Sequence, residues 1–136
     1  MIHVPAYVIA QVLSSVAILK LGVAKQFSLT SSQLLALVLV GGNKRLSIKE
    51  LKGKLSLPGS SLTFAMESLE RKRLIKRERS KEDKRQWFLS LTAKGEQLYA
   101  DILKAESEAV SPALSKISET EREIFLRLAA EINRLV

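Results

Sequence analysis

Residues 57–95 read LPGSSLTFAMESLERKRLIKRERSKEDKRQWFLSLTAKG, and a change of period inside this stretch decides the fold. Its first half repeats Leu62, Ala65, Met66 and Leu69 at the spacing of one helix face. Its second half breaks into two short runs, 76–79 and 86–91, on either side of the charged turn SKEDKR, which is the pattern of a two-stranded ribbon. Pro58-Gly59 marks the turn before the helix, and Ser60 or Ser61 is placed to cap its first turn.

Upstream, Thr30-Ser-Ser-Gln33 has capping-box spacing and opens the apolar run LLALVLV, which Gly41-Gly42 is expected to close. Ser47-Ile-Lys-Glu50 repeats the box at the head of a short helix with Ile48, Leu51 and Leu55 on one face. A short helix, a turn and a second helix make a helix-turn-helix. With the basic ribbon behind it, the fold predicted is a winged helix-turn-helix, mainly α with a small β wing. Trp87 and Leu89 fall on one strand face with Phe88 and Leu91 close by, and some of these aromatics are expected to close the core beneath the wing.

Downstream, Thr92 caps a helix that runs through Leu98, Ile102 and Ala105 toward Val110, where Pro112 is expected to force a break or kink. Ser118-Glu-Thr-Glu121 is a third capping box, ahead of a final helix with the stripe Ile124, Phe125, Leu128, Ile132 and Leu135. The N-terminal segment 1–27 reads as a helix starting near Pro5 and apolar around most of its circumference, so it must be covered on most sides, in a chain this short by a partner subunit. His3, Pro5, Gln11, Ser14, Ser15 and Lys20 interrupt it too often for a membrane span, and it lacks the basic start and small-residue cleavage site of a signal peptide.

Charge singles out the same central region. Between Lys44 and Arg85 fourteen Lys and Arg meet six acids, whereas elsewhere eight meet eight, so the net charge of +8 sits in under a third of the 136 residues. A localised excess of this kind is an electrostatic footprint whose natural partner is nucleic acid, and a helix-turn-helix at the same place makes double-stranded DNA the expected form. Length allows one domain, and 46% apolar residues suffice for its core. Cysteine is absent and His3 is the lone histidine, which leaves thiolate metal sites, disulfides and Ser-His or Cys-His catalysis without their central residue. No enzyme, metal or cofactor is expected.

With Leu62, Ala65, Met66 and Leu69 turned to the core, Ser60, Ser61, Thr63, Phe64, Ser68 and Arg71 are left for a major groove. Small hydroxyls suit phosphates and base edges, and an aromatic ring can touch a thymine methyl. Phe64 is equally able to pack under the wing or against the first short helix. Arg77, Arg79, Lys81, Lys84 and Arg85 make the ribbon a basic tip fit for a minor groove, where arginine is favoured by the negative potential.

Arg79, Ser80, Asp83, Arg85, Leu89, Leu91-Thr92 and Gly95 together resemble the wing signature of the MarR family, the multiple-antibiotic-resistance type of winged-helix regulator: Asp-x-Arg, a strand, then Leu-Thr-x-x-Gly. LPGSSLTFAMESLERKRLI is similar to that family's recognition helix, which ends in Leu-Glu-x-x-x-Leu-Ile. The resemblance covers residues 29–100 by motif and the flanking helices by position.

It implies a cytoplasmic regulator, a repressor, working as a homodimer in which helices of 1–27 and 96–136 interlock and hold the 29–95 lobes over a pseudo-palindromic operator. Arg85 would enter the minor groove, oriented by Asp83, and many relatives respond to small phenolic or other aromatic effectors. The chain departs from the family where Phe64 replaces a frequent arginine, Glu67-Ser68-Leu69 an Asp-x-x-Leu pattern, and Arg73 a glycine. Loss of that arginine removes the commonest guanine contact and points to modest or shape-based sequence choice. Lack of cysteine sets the chain apart from the peroxide-sensing branch, and the lone His3 from a zinc-sensing one. The alternative is a winged-helix module for protein interaction or low-specificity DNA binding.

Overall fold

The computed structural model describes residues 5–136; His3 lies outside them. Six helices surround a three-stranded antiparallel sheet: α1 (Ala6–Gln26), α2 (Ser31–Gly42), β1 (Leu46–Ser47), α3 (Ile48–Lys54), α4 (Gly59–Arg71), β2 (Ile75–Arg79), β3 (Trp87–Leu91), α5 (Ala93–Leu114) and α6 (Glu119–Arg134). The winged helix-turn-helix is therefore present as predicted, α3 and α4 forming the helical pair and β2–β3 the wing.

Both upstream capping boxes form with both reciprocal bonds. Gln33 N donates to Thr30 Oγ1 at 3.2 Å while Thr30 N donates to Gln33 Oε1 at 3.0 Å, and Ser47 and Glu50 repeat the arrangement. The Ser47 backbone N–H, then its hydroxyl, hold the exposed Glu50 carboxyl below its ordinary pKa, with a smaller contribution from Lys54. A depressed pKa means the ionised cap contributes fully above the ordinary carboxylate range and fades as pH falls through the lowered value. Thr92 Oγ1 accepts from Gly95 N at 3.0 Å, and Ser118 Oγ accepts from Glu121 N at 3.2 Å.

Four local expectations are refined or corrected. Gly41 and Gly42 do close α2, as its last two residues, but not as a left-handed glycine cap: Asn43 holds the C-cap position, and a Cβ on Gly41 would meet the Tyr99 ring at 2.8 Å. Gly41 is thus a packing residue. Pro112 does not break α5, which continues for two residues to Leu114; it removes one N–H from the ladder, the one that would have bonded the Glu108 carbonyl. Neither Ser60 nor Ser61 caps α4, since Pro58 holds the N-cap position and makes no side-chain cap.

The fourth of these concerns the wing. Strand order is β1-β3-β2, with Leu46 opposite Leu89 and Ile75 opposite Leu91. Leu46, Leu74, Ile75 and Leu89 close the core there, not the aromatics. Trp87 shares the face of Leu89 but lies nearer the tip, is 39% exposed, and has the Arg79 guanidinium over its ring at 5.6 Å. Phe88 is on the opposite face, with the Arg45 guanidinium 3.7 Å from its ring centre.

The core is built by Leu34, Leu37 and Val40 of α2, Leu51 of α3, Leu62, Met66 and Leu69 of α4, and Ile102 of α5. By contrast α6 buries none of its residues, and α1 leaves Val12, Leu13, Val16, Ile18, Leu19 and Leu21 exposed. Among the described residues no single helix is long and apolar enough to cross a membrane.

Two backbone sites make opposite demands. At Gly95 a Cβ would lie 1.9 Å from the Leu74 carbonyl oxygen, whereas Arg73 holds φ 57°, a left-handed conformation that costs a side-chain-bearing residue about 1–2 kcal/mol. Gly95→Ala should destabilise the fold by about 2–3 kcal/mol through overpacking. Arg73→Gly should stabilise it by about 0.5–1 kcal/mol, the strain relieved exceeding the added chain entropy. Urea denaturation of the two variants measures both signs.

Candidate nucleic-acid interface

Two surfaces carry the predicted residues. On α4, Leu62, Ala65, Met66 and Leu69 are all buried, as their spacing requires, and Ser60, Ser61, Thr63, Phe64 and Arg71 are exposed. Phe64 is 61% exposed, so it packs neither beneath the wing nor against α3; its nearest cation is Arg71, 6.0 Å from the ring centre. Ser60, Ser61 and Phe64 line a shallow groove with Thr30 and Ser32 at the start of α2.

Ser68 does not belong to this exposed group. It is buried, and its Oγ accepts from Gln33 Nε2 at 2.9 Å. Gln33 therefore caps its own helix with one end of its amide and ties α4 to α2 with the other. The bond satisfies two buried polar groups at once, and its partner across 35 positions was not visible in the sequence.

The wing is braced from within. Ser80 N donates to Gln86 O at 2.9 Å, Gln86 N to Asp83 O at 2.9 Å, and Asp83 N to the buried Ser80 hydroxyl at 3.2 Å. Asp83 Oδ1 accepts from both Arg85 N at 3.0 Å and Arg85 Nε at 3.2 Å. Asp83 thus fixes the start of the arginine side chain and leaves its two terminal nitrogens in solvent. Arg79 Nε donates to the Lys84 carbonyl, and Arg77 pairs with Glu70 of α4, so these two arginines are partly engaged in holding the wing. Lys81 and Lys84 are exposed at the tip and make no ion pair among the described residues.

Sequence reasoning passed over Arg45, Lys49 and Lys52. They belong to the basic window, but only the pairing of β1 with β3 brings the start of α3 to the wing, and a two-residue strand leaves no periodic signal.

The family model for the transcriptional regulators SarA/Rot matches residues 19–102, which include the helix-turn-helix and the whole wing. The chain belongs to the SarA/Rot family. It is 30% identical over 114 residues to the HTH-type transcriptional regulator MgrA of Staphylococcus aureus, covering 84% of this chain and 71% of that one. Its fold matches a MarR family protein from Bacillus stearothermophilus with a TM-score of 0.81 at 19% identity, over 95% of this chain and 90% of the other. It also matches NadR, solved in complex with 4-hydroxyphenylacetate, with a TM-score of 0.76 at 24% identity over 97% and 94% of the two chains. This SarA/Rot member is thus a DNA-binding transcriptional regulator of MarR-like winged-helix type and not an enzyme.

The two faces of α4 predict different losses. Ser68→Ala strands the buried Gln33 amide and should cost about 1–2 kcal/mol in urea denaturation. Phe64→Ala, at an exposed ring, should stay within about 0.5 kcal/mol of the parent.

Proposed function

We propose that this SarA/Rot member is a cytoplasmic, homodimeric repressor. Each protomer lays α4 in a major groove of a pseudo-palindromic operator and the wing in the flanking minor groove, and a small phenolic or other aromatic ligand releases the dimer. One observation carries the reading: all fourteen cations between Lys44 and Arg85 are exposed, and among the described residues only Arg77 and Arg85 are paired with a carboxylate. A surface holding so many uncompensated like charges is suited to a lattice of phosphates.

The apolar outer faces of α1 and α6 support the dimer, with 1–27 and 96–136 as the interlocking segments and 29–95 as the DNA-binding lobe. Ile124, Phe125, Leu126, Leu128 and Leu135 are each half exposed or more, which is a poor arrangement for a helix standing alone in water. On α4, Ser60, Ser61, Thr63 and Phe64 are the base-facing group and Arg71 the phosphate-facing one; Ser68, being buried, is not proposed again. On the wing, Lys81, Lys84 and Arg85 meet the DNA while Arg77, Arg79 and Asp83 shape the loop that presents them. For the effector, NadR's ligand supplies the chemical class. An apolar cleft of about 330 Å³ between α1 and α5, lined by Val16, Leu19, Val23, Leu103 and Val110 with the Lys20–Glu106 pair at 2.8 Å, has the size and single polar end such a ligand needs.

A second reading, low-specificity DNA coating or protein interaction, is favoured by the exposed Phe64 and by the lack of a long polar side chain at that position. Selecting bound duplexes from a random pool separates the two. The proposed regulator should recover an inverted repeat with half-sites about 10–10.5 base pairs apart between centres, and a pool without enrichment sinks specific recognition. Two wing variants test the mechanism. Arg85→Ala should lower the slope of log affinity on log salt by about 1. Asp83→Ala should weaken binding although it removes a negative charge from the DNA-facing tip, because the freed Arg85 must be ordered on binding; tighter binding by Asp83→Ala would exclude the orienting role.

A further inference from the structure

Resting on the DNA-binding reading above, we infer that the groove between α3 and the root of the wing is a seat for a backbone phosphate of duplex DNA, held by Lys49, Lys52 and Arg85 beside Trp87. The pairing of Leu46 with Leu89 and of Ser47 with Phe88 brings α3 against the wing, and the resulting groove of about 380 Å³ is lined by Lys49, Lys52, Arg85, Gln86 and Trp87 together with the first residues of the helix. Lys49 and Lys52 stand three apart and so share one side of α3.

No carboxylate lines this groove. The adjoining cleft inside the wing is different, because there Glu78, Glu82 and Asp83 offset Arg45, Arg79 and Lys81. The acid of α3, Glu50, is tied to the Ser47 backbone N–H at 2.8 Å, and Asp83 takes the backbone N and the Nε of Arg85, at 3.0 and 3.2 Å, leaving its terminal nitrogens for an anion. Three cations therefore converge on a concave surface; Arg85 is paired with Asp83 through Nε, and among the described residues Lys49 and Lys52 have no carboxylate partner. Their mutual repulsion is relieved by an anion that enters between them, and a phosphodiester adds a sugar edge that can lie against the partly exposed indole. Duplex DNA fits better than an acidic peptide because the same wing carries two further exposed cations, Lys81 and Lys84, that can meet successive phosphates.

Trp87 is the only tryptophan in the chain, so its emission reports on this groove alone. The test uses the full chain, labelled duplex for anisotropy, unlabelled duplex for Trp87 emission, and the variant Lys49→Ala/Lys52→Ala, whose exposed side chains can be removed without loss of the thermal melt. Duplex should change Trp87 emission with the same midpoint as the anisotropy. The double variant should bind selected and random duplexes more weakly by a common factor, and its salt slope should fall by about 1–2. Parental affinity and slope in a folded double variant, with the parent binding normally, would overturn the phosphate seat alone. A parent that binds no duplex would take down both the seat and the proposed function. Trp87 emission that responds to polyglutamate but not to duplex would reassign the groove to an acidic protein and overturn the proposal.

Discussion

The carbonyl oxygen of Leu74 is the point on which the winged-helix lobe is hung. α4 ends when Leu74 N donates to Leu69 O at 3.0 Å and Arg73 N to Glu70 O at 2.9 Å, with Arg73 in the left-handed conformation that turns the chain back. The carbonyl so presented accepts from Thr92 N at 3.0 Å, while Thr92 Oγ1 donates to the neighbouring Arg73 carbonyl at 2.6 Å, and only a glycine at position 95 lets α5 come this close. The end of α4, the start of β2, the end of β3 and the start of α5 therefore meet at one joint. Each bond is individually modest. Because they share two residues, α4 and the wing follow α5 as one body, and displacement of α5 reaches both together.

That joint divides the chain into a lobe with its own core and arms without one. Leu34, Leu37, Leu51, Leu62, Leu69, Leu89 and Ile102 are essentially inaccessible, and all but Ile102 lie in the lobe. Along α6 nothing is buried, and covering its half-exposed Ile, Phe and Leu side chains is worth on the order of 1 kcal/mol each. Lys20 and Glu106, 2.8 Å apart, tie α1, with its uncovered apolar side chains, to α5, the helix that starts at the joint. A partner that clasps these arms would set the position of α5, and through Leu74 the position of α4.

Much of this was legible because the elements obey local rules. Helix periodicity located α4 and its four buried apolar residues, hydroxyl-to-Gln/Glu spacing located the two reciprocal capping boxes at Thr30 and Ser47 and a one-sided cap at Ser118, and Leu-Thr-x-x-Gly located the start of α5. The departure at Arg73 has a physical meaning visible only in the backbone: the family's glycine suits the left-handed conformation, and this chain adopts it with arginine. What escaped the sequence depends on contacts between distant residues. Ser68 has the spacing of an outward position but its small hydroxyl reaches Gln33, Gly41 has the look of a helix stop but makes room for Tyr99, and β1 is too short to show a period. Trp87 has the core parity but lies past the core's edge, where a large ring remains half in solvent.

The balance between affinity and sequence choice follows from which side chains stand where. On the proposed reading, the groove-facing turns of α4 offer three short hydroxyls and a phenyl ring. Hydroxyls accept and donate to several base edges, and a ring discriminates chiefly by the thymine methyl, so neither supplies the discrimination of about 1–3 kcal/mol that a bidentate arginine gives. The cations, by contrast, are concentrated on the wing, on α3 and at the end of α4, where the contacts are to phosphates and read no sequence directly. Affinity then comes mostly from counterion release and falls steeply with salt. Selectivity has to come from how well a duplex bends and narrows to meet two lobes whose relative placement the terminal helices set. A change in the angle between lobes therefore alters the sequence-dependent part of binding more than the charge-dependent part, which is why a ligand acting near α1 and α5 would loosen a regulator from its operator before it loosened it from DNA in general.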